Sequence, residues 1–475
     1  MASLRFPLLS FTPVVCLSLL AVSARAENSA TLEQAWTQAY RNNPSLEAQR
    51  ASLRAVDEQV SQALSNWRPS ADATASVGRT DQYAPELAPF EDPRYDGNAR
   101  SYGVQVKQPL FRGFRTKAET EAAEKTVLAG RAKLESAEQQ LFLDTASAYL
   151  GILRDEAVLD LERNHETVLE DKLKETNTRA QAGELTRTDE RQSESRLARA
   201  RVSRYQAEST LTQDRAAYTR LVGMDPAGLQ PPVLIVESAS SLAAIFHRAE
   251  TNNPDVLSAQ YAVEEADAEI RLNRGGLLPE VDLVGSSTRS YGEDISLPGR
   301  EDSSQVLVQL TVPLYRSGTD YSKTRQAQQT ATQRREELDE ARHKAHESAD
   351  NAWQSFMTAQ AALDADRSEA DASAQALAGV KEESKVGTRT TLDVLNAEQE
   401  LLDAKTDMVK AQHDRDLAVL QIRAAEGMLT AQNLKLPVEP YDPKRHYDDV
   451  RDQWAGFSED DSRYAVKSLS TPTAR

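Results

Sequence analysis

The stretch KVGTRTTLDVLNAEQELLDAK, Lys385 to Lys405, has an earlier counterpart in AQAGELTRTDERQSESRLARA, Ala180 to Ala200. Each sets a glycine (Gly183, Gly387) before a threonine-containing turn, then Thr-x-x-Asp, then a charged run with Leu and Ala at helical spacing. A glycine just past a helix end takes the left-handed backbone that closes it. Thr186 and Thr390 then read as N-caps of a returning helix, with Asp189 and Asp393 at its third position, facing the positive end of the dipole. The corner is a hairpin between two antiparallel helices, and the chain builds it twice.

Working outward, the likeness continues. NNPSLEAQR at Asn42 aligns with NNPDVLSAQ at Asn252, and Pro69 with Pro279, both 210 residues apart. QPLFRG at Gln108 then matches VPLYRSG at Val312, and Tyr149 with Trp353, Gly183 with Gly387 and Asp189 with Asp393 are all 204 apart. Landmarks that keep their order and nearly their spacing define two halves with one plan.

Within each half, a helical stretch broken at Asn-Asn-Pro comes first, a turn-rich region second, and a very long helical region third. No proline falls between Pro109 and Pro226, or between Pro313 and Pro437. Because proline costs ~3 kcal/mol inside a helix, such runs suit unbroken helices. Ala397, Leu401, Ala404, Met408, Ala411, Ala418, Ile422 and Ala425 step by three and four, with Arg415 as the one interruption. This narrow seam of large and small residues predicts coiled-coil neighbours rather than a solitary helix. The first long helices, roughly Thr116 to Ala182 and Asp320 to Val386, would each reach ~100 Å.

Between the helices the period changes to two. Tyr102, Val104 and Val106 alternate with Gly103, Gln105 and Lys107, and Val306, Val308 and Leu310 with Leu307, Gln309 and Thr311. Partner strands are expected near Ser70 to Gly78 and Val281 to Thr288, each about nine residues, close to a membrane strand's length. The polar segments Arg79 to Arg100 and Arg289 to Ser304 read as loops. Four strands cannot close a barrel, and lipid tolerates no open sheet edge. In a membrane, several chains must therefore share one barrel; out of it, the same pattern would fit a soluble sheet capping a coiled coil.

The N-terminus bears on compartment. Arg5, an apolar run from Phe6 to Val22 and small residues at Ala24 and Ala26 read as a secretory signal cleaved after Ala26, with Cys16 inside the apolar run and no lipobox. Cleavage would remove Arg5, Arg25 and the single cysteine, leaving 54 basic and 74 acidic residues, a net of −20 and no disulfides. So acidic a chain argues against nucleic acid as a partner. No later segment approaches the ~20 apolar residues of a spanning helix.

On the hairpin corners and the paired NNP, PLFRG and PLYRSG motifs, the chain up to about Leu436 resembles the TolC family of outer-membrane export channels. The resemblance implies a mainly α fold with a membrane β-barrel. Duplicated long helical hairpins would form an α-barrel, and four strands per chain would join a shared trimeric twelve-stranded barrel. It further implies a location in the outer membrane reaching into the periplasm, export by type I secretion or drug efflux, and docking of a periplasmic adaptor and an ABC or proton-driven inner-membrane transporter. Such a channel is no enzyme and needs no cofactor. At the periplasmic aperture, Arg389 and Asp393 match the family's gate positions, with Thr188 and Asp189 matching on the first tip. Asn396 stands where a compared member of the family has a second aspartate and Ser384 where it has a tyrosine, which would loosen the network. The alternative role for both aspartates is helix capping alone, with gating the favoured reading for Asp393 and capping for Asp189.

These readings divide the chain as follows: signal, 1–26; first-repeat N-terminal helices, 27–69; strands and external loop, 70–110; long hairpin, 111–222; equatorial linker, 223–241. The second repeat follows with helices at 242–276, strands and loop at 277–314, and hairpin at 315–436; a polar tail, expected to be mostly disordered, occupies 437–475. His343 and His346 stand three apart but lack a third ligand nearby, so they read as surface histidines rather than a metal site. The rival function is a periplasmic coiled-coil adaptor or scaffold without a pore, which would have no need of amphipathic strand pairs in both halves. A secreted enzyme would need a catalytic constellation, and none is present in the sequence.

Overall fold

The computed structural model describes residues 31–83, 94–234, 241–292 and 299–456. The expected signal segment, the tips of both external loops, part of the linker and the end of the tail lie outside the described residues. In chain order the elements are α1 (Leu32–Asn42), α2 (Pro44–Ser65), β1 (Ser70–Tyr83), β2 (Arg94–Arg112), α3 (Arg115–Gln181) and α4 (Arg187–Val222). The second half repeats them as α5 (Leu242–Asn252), α6 (Pro254–Gly275), β3 (Glu280–Tyr291), β4 (Arg300–Thr311), α7 (Thr319–Lys385) and α8 (Thr391–Ala425), followed by a short α9 (Arg445–Val450). α3 and α7 each run 67 residues, ~100 Å of helix.

The Asn-Asn-Pro motif explains the break ahead of each sheet. Asn43 is at once the C-cap of α1 and the N-cap of α2, and Pro44 follows at the first helical position, where its missing N–H costs nothing. The Asn43 side-chain oxygen accepts from the Ser45 and Leu46 amides, while its Nδ2 donates to the Leu221 carbonyl at 3.0 Å. Asn253 repeats this at α5–α6, with Nδ2 3.4 Å from the Ala425 carbonyl. Each kink is thereby tied to the end of the hairpin that returns beside it.

The helices are held by three apolar clusters, the third near the tips, and a charged skin. Phe142, Tyr149 and Ile152 of α3 are fully buried against α1 and α4. The Tyr149 hydroxyl donates to the Gln230 carbonyl at 2.6 Å, pinning the linker, and burial pushes this phenol up to about 12. Ile245, Ala349 and Ile422 centre the second cluster. α6 lies between α3 and α7, bridged by Lys125–Glu264 (2.6 Å) on one side and Arg335–Asp267 (2.7 Å) on the other. Among the described residues no helix is long and apolar enough to cross a membrane.

The four strands form one antiparallel sheet in the order β1-β2-β3-β4. They run 12 to 19 residues, longer than the nine expected. Segments read as loops carry ladder instead, because oppositely charged neighbours such as Arg79 and Asp96 hold the polar ends together. Where the sheet joins the shaft, Gly113 (φ +60) passes so close to Gly275 that a Cβ on Gly113 would sit 2.5 Å from the Gly275 carbonyl oxygen. Only glycine allows the two halves to cross there.

The tail differs from expectation. Residues 437–456 pack along α1, α2 and α3 rather than lying disordered: the Arg41 guanidinium donates to the Pro437 carbonyl at 3.0 Å, and the Tyr441 amide to the Tyr40 hydroxyl at 2.9 Å. His446 Nδ1 lies 3.2 Å from a carboxylate oxygen of Asp57, which is 1% exposed. Tyr441, Tyr447 and Trp454 sit under the guanidinium groups of Arg50, Arg131 and Arg68. A composition averaged over charged residues hides three aromatic anchors spaced along the segment.

Candidate functional site: the membrane sheet and the helical tips

Two regions are candidates for function, the sheet and the helical tips. At the sheet, cross-strand register sorts the side chains into two faces. One presents Ala73, Val77, Val104 and Val106 from β1 and β2, with Val281, Leu283, Val306, Val308 and Leu310 from β3 and β4. These are not covered: Val306, Val308 and Leu310 are 76%, 69% and 63% exposed. The other face carries Asp72, Thr74, Gln105, Ser286, Gln305 and Gln309, interrupted by Val284 and Leu307. On it, Lys107 pairs with Asp282 at 2.9 Å.

Exposed aromatics mark both limits of the apolar band: Trp67, Phe114 and Tyr315 at the helix end, Tyr83, Tyr102 and Tyr291 towards the turns. That is the girdle pattern of a membrane strand. β1 and β4 each present one edge that is unpaired among the described residues. A bare edge next to an exposed apolar face is stable in neither water nor lipid.

At the opposite end, the tips repeat one another. Gly183 (φ +80) lets the Glu184 amide reach the Arg179 carbonyl at 2.9 Å, and Gly387 (φ +81) lets Thr388 reach Glu383 at 3.0 Å. Ser384 takes part through its carbonyl, which accepts from the Gly387 amide at 3.2 Å. In each tip a capping box follows. Asp393 Oδ2 accepts from the Thr390 amide and hydroxyl, both at 2.9 Å, and Asp189 Oδ2 accepts from Thr186 at 3.0 and 2.7 Å. Those donors hold both carboxyls below the usual aspartate value. Thr188 is exposed on the first turn of α4, between those two residues.

The structure gives the predicted gate residues partners outside their own set, which the sequence did not reveal. The Arg389 guanidinium donates to Glu383 at 2.8 Å, across the turn of its own tip. Asn396 accepts from Arg196 of α4 at 2.9 Å, which ties the second hairpin to the first. Just above, Leu395 is buried with Leu169, Leu197 and Ala200, and Lys381 pairs with Glu398 at 2.6 Å. Glu383 escaped notice because it lies just before the quoted turn, and Arg196 because it reads as one more charge in the run after the first turn, 200 residues from its partner. Among the described residues no three His, Cys, Asp or Glu side chains converge on a metal position. His343 is exposed, and His346 packs on the Phe246 ring at 5.0 Å.

An amphipathic sheet with bare edges, set on a shaft of paired helices some 100 Å long, defines a membrane channel component of the barrel-and-tunnel type. The outer membrane efflux protein family model matches residues 35–224 and 245–428, once in each half. The chain is 31% identical to the outer membrane efflux protein BepC of Brucella suis over 94% of this chain and 96% of that one. It is 27% identical to outer membrane protein TolC of Vibrio cholerae, over 88% and 94%. In fold it is similar to the Campylobacter jejuni CmeC outer membrane channel, with a TM-score of 0.76 and 14% identity over 95% of this chain and 98% of that one. The chain belongs to the outer membrane efflux protein family, whose members are transport proteins of the outer membrane.

Proposed function

We propose that three copies of this chain form one twelve-stranded barrel and one continuous helical tunnel, through which substrates leave the periplasm. The observation that carries this reading is the four-stranded sheet, apolar on one side and open at both edges among the described residues. Pairing β1 of one copy with β4 of the next satisfies every edge. Two copies would give eight strands, an interior that side chains fill; a third opens a lumen.

In this reading the tips close the periplasmic end. Arg389–Glu383 and the Thr390–Asp393 box stiffen each second tip, and Arg196–Asn396 holds the two hairpins of a chain together. A periplasmic adaptor bound to an ABC or proton-driven transporter would open the aperture by separating them. The channel would do no chemistry, with energy supplied at the inner membrane. Drug efflux and type I protein secretion both suit such a conduit. A periplasmic adaptor or scaffold would share the hairpins but leave the apolar sheet face without a purpose.

Fractionation and gel mobility test this. The full chain is expected in the outer membrane, running as an SDS-resistant oligomer when unheated and as a monomer when boiled, and conducting ions in planar bilayers. A soluble periplasmic monomer that leaves bilayers silent would overturn it.

A further inference from the structure

We infer that the outer rim of the sheet's apolar face binds the phosphate groups of lipopolysaccharide. The inference rests on the reading above, in which the strand turns lie outside the cell and the apolar face meets lipid.

Register puts Arg79, Arg94, Arg100, Arg289 and Arg300 on that same face, in the rows between the apolar band and the turns, with Asp81, Asp96 and Asp302. Among the described residues of these rows five guanidinium groups thus meet three carboxylates, in a chain whose net charge is −18. Over the same rows the opposite face presents Thr80, Ser101, Ser290, Ser303 and Glu301, and no lysine or arginine among the described residues. A basic ring that selected cargo would line the lumen. This one faces the lipid.

Internal pairing leaves it in charge excess. Arg79 Nε donates to Asp96 at 2.6 Å, and Arg289 Nε to Asp302 at 2.6 Å. Arg300 shares that same Asp302, so the cluster keeps one net positive charge. Arg100 is exposed, and no described carboxylate pairs with it. It stands opposite Val77 and Tyr291, one row beyond Tyr102, at the depth where hydrocarbon gives way to headgroups. A guanidinium fork matches a phosphate bidentately, and near lipid that contact is little screened. Phosphate fixed to a glycolipid is the anion that lies at this depth in the outer leaflet.

Native mass spectrometry of the purified full chain in detergent tests the assignment. The probes are lipid A with both phosphates, lipid A without phosphates, phosphatidylglycerol and inorganic phosphate, with conductance in planar bilayers measured in parallel. Phosphorylated lipid A should bind, and the Arg100→Gln, Arg300→Gln double variant should bind it about tenfold or more weakly, the loss of one charge-assisted hydrogen bond, at unchanged conductance. Equal binding of dephosphorylated lipid A or of phosphatidylglycerol would overturn the assignment, as would displacement by inorganic phosphate or an unaffected variant. Each of those results with normal conductance leaves the channel reading standing; a wild type that never conducts sinks both.

Discussion

Arg196 of the first hairpin donates to the Asn396 side-chain oxygen of the second across 2.9 Å, near the end where the helices turn. With the buried Leu395 and Leu197 just beside it, this contact holds two duplicated units as one closed pair. The bond joins a cation to a neutral amide, so it is weaker than the ion pair an aspartate would make.

Strengthening and removing that bond should therefore act in opposite directions. Asn396→Asp is expected to lower single-channel conductance in planar bilayers, and Arg196→Ala to raise it, each by about twofold to tenfold for ~0.5–1.5 kcal/mol at an exposed pair. If the two variants shift conductance the same way, the contact does not bear on closure.

The capping role of Asp393 can be separated from the gating role proposed for it. Asp393→Asn keeps an acceptor for the Thr390 amide and hydroxyl but removes the charge. It should weaken block of the channel by multivalent cations while leaving the melting temperature within about 2 °C. Asp393→Ala should weaken block equally and also cost the tip ~1 kcal/mol of capping. Block that persists in both variants would leave Asp393 as a cap alone.

Two glycines should fail for different reasons. Gly387→Ala meets nothing within 4 Å but must hold φ +81, a strain of ~1–2 kcal/mol confined to the tip. Gly113→Ala adds a steric clash, its Cβ 2.5 Å from the Gly275 carbonyl and 2.8 Å from the Leu278 Cβ. It should abolish the heat-sensitive oligomer on unheated gels, whereas Gly387→Ala should retain it.

His165 gives the lower hairpins a pH dependence. It is buried on α3, and burial holds its imidazole below the ordinary 6.5 although Glu398 and Asp403 pull the other way. The closed form therefore prefers the neutral ring. Its contribution is complete above 6.5 and is lost as pH falls from there through the depressed value, because the opened form takes up the proton first. Hydrogen exchange over residues 160–200 should speed up between about pH 7.5 and about pH 5.5 after correction for intrinsic rates, and His165→Gln should remove the change.

Legibility followed the range of the interactions. Gly183 with Thr186 and Gly387 with Thr390 could be read because a helix end is a matter of four or five neighbouring residues. The sheet faces could be read because alternation is local too. Tail order could not, since Tyr441, His446 and Trp454 count only once Tyr40, Asp57 and Arg68 lie opposite them. Strand ends shifted for a similar reason: Arg79 looks like a loop residue until Asp96 stands beside it.

By itself the sequence determined the duplication, the long helices with their turns, and the alternating strands, because each depends on backbone bonds and periodicity within a few residues. Only the tertiary structure decided what those pieces hold on to: Asn43 on Leu221, Arg196 on Asn396, Gly113 against Gly275, and an arginine rim gathered onto one face from four strands. Such pairings join positions with no common period along the chain, and their strength comes from geometry and burial that exist only after the halves have packed.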